Sequence, residues 1–260
     1  MSSNLPTEAP APGTTTLGQL LHTDVDKDTA ATIYRSAIAA LLQWQLEPAT
    51  GNAQPLEAKE LILGMESFVA DYIVSHRGHA VDAGQRKILD AAFAEISAQC
   101  LALPQIPVHG RFTLDQLQLM GESASATNSL PSSALSANIA APAGSRLGPI
   151  GYDIVSLVRD PRRPWDEDFS LDITIRYWDM ARKAGLPVGP DFGEFYRGME
   201  WVAVQRHLSE PALTSTPDLH AWVAFLHSAC ARYRELRPLS RLIEQVQGIE
   251  AASGYAFGRA

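Results

Sequence analysis

Cysteine is scarce in this chain: Cys100 and Cys230 are the only two among 260 residues. They form no C-x-x-C pair, and two cysteines in a chain of this length do not indicate a disulfide scaffold. Both are therefore predicted to be buried thiols. Long apolar runs are lacking too, since none approaches the roughly 18 residues needed to span a bilayer. The start of the sequence has neither the basic nor the apolar region of a signal peptide. We predict a cytoplasmic protein with no membrane partner.

Basic residues are also few. Lys and Arg number 21 against 29 Asp and Glu, which gives a net charge of -8. A protein that binds a phosphate backbone needs a surplus of Lys and Arg to neutralise it. The composition therefore excludes nucleic acid as the expected partner.

The motifs of the best-marked nucleotide, hydrolase and zinc sites are absent as well. The chain contains no G-x-G-x-x-G, no G-x-x-x-x-G-K-[ST], no G-x-S-x-G and no H-E-x-x-H. His76 and His79 lie three positions apart at the end of a predicted helix, where a metal pair is conceivable. Histidines are favoured there by the helix macrodipole alone. We therefore predict no metal site.

Helical periodicity is what the sequence has in abundance. Apolar residues make up 46% of the chain and recur at helical spacing through most of it. Residues 1–16 are rich in Pro, Thr and Ser, which predicts a disordered tail, and 246–260 are predicted to be a flexible C-terminus. About seven helices are expected between them, over residues 28–48, 56–76, 82–104, 150–160, 166–183, 191–208 and 218–237.

Strand signal is limited to short stretches around Ile106–His109 and Leu117–Met120, which predict a small β-hairpin. The stretch from Gly121 to Arg146 is mostly Ser, Ala, Asn, Gly and Pro. It has no sustained periodicity, so a mobile low-complexity loop is expected over 121–146. The predicted fold class is mainly α, with a small β component.

Several long sequence segments resemble those of a known protein superfamily. They are "LGPIGYDIVSLVRDPRRPWDED", "LDITIRYWDMARKAGLPV", "DFGEFYRGMEWVAVQRHL" and "ARYRELRPLSRLI". In this order they resemble the C-terminal lobe of the aminoglycoside phosphotransferase-like kinases, and within that superfamily the bacterial kinases of N-acetylmuramate and N-acetylglucosamine. The resemblance extends to almost the whole chain after residue 12 and implies a kinase-like C-terminal lobe over 17–245. The family's N-terminal β lobe, which supplies the phosphate-contacting Lys, has no counterpart, so a single-lobe protein is expected.

The resemblance also implies which positions should carry chemistry. The family's catalytic loop reads roughly H-R-D-Y-H-S-R-N-L, and "HGRFTLDQL" matches it at His109 and at the final Leu. Arg111 then occupies the position of the catalytic Asp, Gln116 that of the magnesium-binding Asn, and Ala141 that of the second magnesium-binding Asp. An Arg cannot accept a proton at physiological pH, and loss of a general base alone costs roughly 10²–10⁴-fold in rate. We weigh Asp115 as a substitute base but favour a local ion pair with Arg111 or plain solvation.

The resemblance also implies structural and ligand-binding roles for residues outside the catalytic positions. Asp153, early in the helix that follows G-P-I, matches an Asp that bonds to the catalytic-loop backbone in kinase-like folds, so it is expected to anchor the loop together with His109. The family's acceptor pocket is formed largely by the C-terminal helices, and the same residues are equally explained as packing residues retained with the fold. The candidate ligand-binding residues are Arg111, Arg159, Asp160, Glu200, Trp201, Gln205 and Arg206.

Two classes of function follow from these expectations. The first is a catalytically inactive pseudokinase that acts by binding a protein partner, or a second copy of itself, through the old interlobe face. It would need no cofactor. The alternative is an ATP- and Mg²⁺-dependent amino-sugar kinase whose nucleotide lobe comes from another chain, or a sensor that binds an amino sugar.

Overall fold

A computed structural model describes residues 16–21, 25–47, 53–120, 136–139, 146–160, 163, 165–209 and 219–248. The chain divides into two compact units, Met1–Leu56 with Cys100–Ala203 and Glu57–Gln99 with Val204–Ala260. The predicted tail lies outside the described residues apart from Thr16, which caps the first helix. A single kinase-like lobe over 17–245 stays a prediction.

The predicted mainly helical fold class is confirmed. The described part of the chain contains nine α-helices, two more than expected, because a short helix forms at residue 17 and another follows the last predicted helix, from Arg237 to Gln247. Pro238 stands in the first turn of the final helix, where its missing N–H leaves no backbone acceptor unpaired, and a 3-10 turn, Arg234–Leu236, precedes it. The helices are α1 (Leu17–Leu20), α2 (Lys27–Leu46), α3 (Ala58–Ser67), α4 (Ala83–Ala102), α5 (Tyr152–Val158), α6 (Glu167–Lys183), α7 (Phe192–Leu208), α8 (Leu219–Arg232) and α9 (Arg237–Gln247).

Side-chain caps determine where these helices begin. Asp82 accepts from the backbone N–H of Gln85 at 2.8 Å and Gln85 accepts from that of Asp82 at 3.1 Å, which forms a capping box at the start of α4. The cap of α2 is Asp26, which accepts from the N–H of Thr29 at 2.9 Å, so the helix begins slightly before the predicted start at residue 28. Asp28 lies in the first turn, where its charge favours the helix dipole.

The predicted helix over 56–76 changes geometry midway. After α3 the chain continues as a π-helical segment, Phe68–His76. Runs of this kind are rare and are frequently found at functional sites. The segment ends at His76 with Arg77 as its C-cap, and Gly78 follows with φ of +64°.

Two small sheets replace the single predicted hairpin. The predicted strands 106–109 and 117–120 form as β2 and β3 but do not pair with each other. β2 pairs antiparallel with β5, which pairs parallel with β1, and β3 pairs antiparallel with β4. β4 and the start of β5 lie within the predicted loop 121–146, whose other residues are outside the described ranges. The strands are β1 (Gln54–Pro55), β2 (Gln105–Val108), β3 (Leu117–Met120), β4 (Ser136–Ile139) and β5 (Arg146–Pro149).

The core of the first unit is formed by the inner faces of α2, α5 and α6. Tyr34 of α2 lies edge-on to Phe169 of α6 at 5.3 Å and accepts a hydrogen bond from Nε1 of Trp165 at 3.0 Å. Deeper in the unit, the Tyr177 hydroxyl donates to Oε1 of Gln45 at 2.9 Å. Each fully buried large side chain contributes roughly 1.5–3 kcal/mol of transfer free energy, so these helices are held mainly by packing.

The core of the second unit combines the inner faces of α3, α4, α8 and α9. α9 continues to Gln247, so the predicted boundary of the flexible C-terminus at 246 is wrong: Val246 is buried on the helix and Gly248 caps it with φ of +72°. Both cysteines are buried free thiols, as predicted. Across the residues that the structure describes, no helix is long and apolar enough to cross a membrane.

Candidate functional site

The loop that follows β2 is held by a buried carboxylate. Asp153, near the start of α5, is 0% exposed. It accepts hydrogen bonds from the backbone N–H of His109 at 2.8 Å and from that of Gly110 at 2.9 Å. Gly110 has φ of +83°, a conformation that glycine adopts without strain. The loop backbone is therefore fixed by a residue 44 positions away from His109.

The His109 ring packs inside this loop. It lies edge-on to Trp44 of α2 at 5.9 Å and to Phe112 at 6.1 Å. Its Nδ1 faces the backbone N–H of Arg111 at 3.3 Å, so this nitrogen acts as the acceptor. The buried ring therefore positions the loop from within.

The positions that match the family's catalytic groups lie around this anchor. Arg111 is exposed, between the anchored Gly110 and the fully buried Phe112. Gln116 is half-buried and ends the 3-10 turn Leu114–Gln116. Ala141 lies outside the described residues. The loop thus presents a guanidinium to solvent at the position matched to a proton acceptor.

Asp115 is engaged in an ion pair with Arg163. The two guanidinium nitrogens of Arg163 lie 2.6 and 3.1 Å from the two oxygens of Asp115. Arg163 also donates to Asp160 at 3.3 Å and to the backbone oxygen of Gly18 at 3.3 Å. A bidentate pair of this kind is strongly directional, so Asp115 is held by Arg163 and is poorly placed to act as a substitute base.

Arg159 belongs to a second polar cluster. Its guanidinium donates to both oxygens of Glu167, at 2.8 and 2.7 Å, and to the Tyr196 hydroxyl at 3.3 Å. The Tyr196 hydroxyl in turn donates to Glu167 at 2.8 Å. Burial, followed by this hydrogen bond, raises the pKa of Tyr196 to about 12. The guanidinium of Arg159 is thus paired with the carboxylate of Glu167 through both of its terminal nitrogens.

The remaining candidates lie on α7. Trp201 and Gln205 are buried, with 6% and 2% exposure, while Glu200 and Arg206 are half-buried. The Gln205 side-chain amide donates to Oγ of Ser209 at 2.9 Å. Glu200 and Trp201 belong to the first unit, and Gln205 and Arg206 to the second. A ligand site formed by the seven candidate residues stays a prediction.

The histidine pair at the end of the π-helical segment is occupied by other contacts. His76 stacks on Tyr72 at 5.8 Å, and Nε2 of His79 lies 3.1 Å from Oε1 of Gln85. No group of three or more His, Cys, Asp or Glu side chains among the described residues is arranged to hold a metal ion.

Sequence reasoning missed Arg163, Glu167 and Tyr196, which form the clusters around Asp115 and Arg159. Asp115 and Arg163 are 48 positions apart. No local spacing could have revealed their contact.

Several proteins of known name are similar to this chain in sequence. No family model matches the chain. The N-acetylmuramate/N-acetylglucosamine kinase of Neisseria meningitidis is 30% identical over 233 residues, covering 85% of this chain and 66% of that protein. The protein of the same name from Pseudomonas aeruginosa is 32% identical over 116 residues, 40% of this chain and 34% of its own length. This chain thus spans less than two thirds of either relative.

Two more distant likenesses were found. The N-acetylmuramate/N-acetylglucosamine kinase of Pseudomonas putida is 24% identical over 243 residues, covering 89% of this chain and 68% of that protein. A choline kinase structure from Cryptosporidium parvum aligns over 91% of this chain and 70% of its own, with a TM-score of 0.40 and 13% identity.

Proposed function

Because this chain belongs to the same family as the bacterial proteins named N-acetylmuramate/N-acetylglucosamine kinase, we propose that it binds an N-acetylated amino sugar. The observation that carries this proposal is the identity of 30% maintained across 85% of the chain with a protein named for these sugars. A likeness of that extent involves the helices of both units, and not one short motif. Sugar recognition is the property that a family member can retain without a catalytic base.

The residues of the anchored loop argue against phosphoryl transfer by this chain. Transfer of a phosphoryl group depends on positioning and on neutralising charge with metal ions, Lys and Arg. Arg111 stands at the position matched to the catalytic Asp, and Asp115 is paired with Arg163 at 2.6 Å. Mg²⁺ is usually bound through at least one carboxylate, whereas the resemblance matches Gln116 and Ala141 to the magnesium positions. We therefore propose binding without transfer.

ATP-dependent phosphorylation of the amino sugar is the second candidate. The observation that favours it is that all three relatives are named as kinases. In this candidate, ATP and Mg²⁺ are required in addition to the sugar.

Calorimetric titration with N-acetylmuramate and N-acetylglucosamine tests the first candidate, with glucose as the control ligand. Incubation with ATP, Mg²⁺ and each sugar, followed by ³¹P NMR, tests the second. Sugar binding with no phosphorylated product supports binding without transfer, and appearance of a sugar phosphate establishes the kinase. Absence of binding to either sugar contradicts the proposal.

Binding of a protein partner, or of a second copy of the chain, is a separate proposal. Two observations support it: the three positions matched to catalytic residues are changed, and the helical sequence segments still resemble those of the family. Light scattering of the purified protein and affinity purification with mass spectrometry test it. A monomer that captures no partner contradicts it, whatever the result with sugars.

A further inference from the structure

Three exposed arginines lie near the start of α9. They are Arg234, in the 3-10 turn that runs directly into the helix, and Arg237 and Arg241, which lie one helical turn apart on α9. Within the part of the chain that the structure describes, none of the three forms a hydrogen bond, an ion pair or a ring contact. These three residues are called the arginine stripe below.

Unpaired cations are the exception in this protein. Most of the other described basic side chains bind a carboxylate or a carbonyl oxygen, and Arg86, which lies 2.6 Å from Glu66, is an example. Among the described residues, Lys87 and Arg197 are the only further basic side chains without a hydrogen bond or an ion pair. Acidic residues outnumber basic ones by 29 to 21 in the whole chain. The arginine stripe is therefore a concentration of uncompensated positive charge in an acidic protein.

The position of the stripe is electrostatically unfavourable for an isolated copy of the chain. Cations near the N-terminus of a helix oppose its macrodipole, and like charges one helical turn apart repel each other. The first turn of α9 contains no acidic residue, and its N-cap, Leu236, makes no side-chain hydrogen bond to the helix. Glu235 lies between Arg234 and Arg237 in sequence but forms no ion pair with either. Contact with an acidic surface outside the chain would offset this cost.

The first unit carries a surface of opposite charge where α2 and α6 begin. Asp26 and Asp28 lie at the start of α2, Asp166 and Asp168 lie at the start of α6, and all four are exposed. Lys27 joins the two helix ends through an ion pair with Asp166. The pKa of Lys27 is raised by the hydrogen bond with Asp166 and, to a smaller extent, by the negative charge of Asp168. Four carboxylates around one ammonium group leave this surface negative, and it is called the acidic face below.

We propose that the arginine stripe of one copy of this chain binds the acidic face of a second copy, an inference that rests on the separate proposal of self-association and not on sugar binding. Asp28 and Asp168 carry the carboxylates for this contact, since neither side chain has a hydrogen bond or an ion pair within the described residues. Complementary charges determine which surfaces meet, and how fast, more than how tightly they bind. The association is therefore weak and sensitive to salt.

A second copy fits the stripe better than a polyanion does. Nucleic acid and anionic lipid surfaces are negative throughout, so they repel the rest of a chain whose net charge is -8. A second copy presents negative charge at its acidic face and positive charge at its own stripe. Each copy can therefore both offer and receive the same contact.

Sedimentation velocity at about 0.1 M and about 1 M salt tests the inference. At the lower concentration the Debye length is roughly 10 Å, which screens the net repulsion between two acidic copies but not the charges that face each other, and at the higher one it is roughly 3 Å. The unaltered protein should associate at the lower concentration and dissociate at the higher one. The double variant Arg237→Glu, Arg241→Glu should raise the Kd of self-association at least about tenfold, because attraction becomes repulsion at two positions.

The matched control is the double variant Lys87→Glu, Arg197→Glu, which makes the same change in net charge at two exposed cations elsewhere. Its Kd of self-association should stay close to that of the unaltered protein. Glutamate near the start of a helix favours the macrodipole. The variant Arg237→Glu, Arg241→Glu should therefore unfold at a urea concentration no lower than the unaltered protein, which separates lost association from lost folding.

A charge exchange identifies the surfaces that meet. The double variant Asp28→Lys, Asp168→Lys should by itself also lose self-association. Mixed in equal amounts with Arg237→Glu, Arg241→Glu, it should restore association, since each altered surface again meets the opposite charge on the other variant. Both variants keep a negative net charge, so net charge alone cannot draw them together.

The outcomes separate this inference from the proposals that precede it. If the unaltered protein is a monomer at the lower salt concentration, this inference and self-association are both overturned. If it associates and Arg237→Glu, Arg241→Glu associates equally well, the stripe is not the contact, and self-association stands. A mixture of the two charge variants that stays monomeric overturns the assignment of the acidic face.

Co-sedimentation with phosphatidylserine vesicles distinguishes a membrane surface from a second copy. Binding of the unaltered protein to these vesicles, without self-association, would assign the stripe to anionic lipid and overturn the inference. The titrations with amino sugars test the other proposal independently of all these results.

Discussion

The guanidinium of Arg163 holds the carboxylate of Asp115 through both of its oxygens, at 2.6 and 3.1 Å. Asp115 lies in the 3-10 turn that follows the anchored loop, and Arg163 lies between α5 and α6. The same guanidinium reaches the buried Asp160 and the backbone oxygen of Gly18. Three segments that are distant in sequence are thus joined at one side chain.

Replacing Arg163 by Met should destabilise the protein by about 1–3 kcal/mol, because it leaves the carboxylates of Asp115 and Asp160 without this cation. The Asp160 side chain is only 4% exposed. The free energy of unfolding from urea titration measures the effect. Arg176→Met is the matched control, since Arg176 pairs with Asp172 on the exposed face of α6, and its cost should stay below about 0.5 kcal/mol. Equal costs for the two variants would contradict the role of Arg163.

Gly18→Ala should be poorly tolerated, because the new Cβ would lie 1.9 Å from Oδ1 of Asp115 and 2.8 Å from a nitrogen of Arg163. We expect a loss of about 1–3 kcal/mol in the free energy of unfolding. The loss should shrink in an Asp115→Ala background, where the first clash is gone, and a double-mutant cycle by urea titration measures this coupling. Strict additivity of the two changes would show that the predicted clash does not occur.

Asp153→Asn should loosen the loop at residues 109–113. Asparagine has one oxygen in place of two and turns an N–H₂ toward a backbone donor, so one of the two anchoring hydrogen bonds is lost. The expected cost is about 1–3 kcal/mol. Hydrogen exchange at the amides of His109 and Gly110 should become faster, whereas the exposed Asp172→Asn should leave both rates unchanged. Protection that survives Asp153→Asn would rule out the anchoring role.

Alkaline pH should destabilise the protein through its two cysteines. Burial raises the pKa of both Cys100 and Cys230 to about 12, against an ordinary value of 9.0. The raised pKa contributes stability that is complete below pH 9 and is lost as pH rises toward 12, because only the unfolded chain releases these protons. The loss approaches about 1.4 kcal/mol per pH unit for each thiol.

Urea titrations at pH 8 and pH 10.5 measure this dependence. The double variant Cys100→Ala, Cys230→Ala should show a shallower decline. The tyrosines with raised pKa values, Tyr34 and Tyr177, account for part of what remains. An identical decline in the double variant would contradict the prediction for the thiols.

Local sequence patterns were sufficient to predict most of the helices but few of the strands. The capping box at Asp82 and the apolar stripe that follows it predict α4 to within two residues at its end. β4, with sequence "SANI", and β5, with "RLGP", lack the β-branched alternation of a strand. They form because β3 and β2 offer them backbone hydrogen bonds. That tertiary effect is invisible in a single window of sequence.

The site was predictable where a motif specifies a backbone contact, and not where side chains pair across the fold. Asp153 could be placed against the loop because the family resemblance assigns it there. Asp115 was assigned to solvent or to Arg111, since Arg163 is 48 positions further on.

The π-helical segment has a consequence for the far end of the chain. Each of its turns takes in more residues than an α turn, so its nine residues complete fewer turns. The direction of the Arg77 side chain at the end of the segment depends on the number of turns that the segment completes. Arg77 donates to the carbonyl oxygens of Val246, at 3.0 Å, and Gln247, at 2.8 Å. Through Arg77, the geometry of the π-helical segment therefore affects how the last turn of α9 is terminated, 170 positions after Arg77.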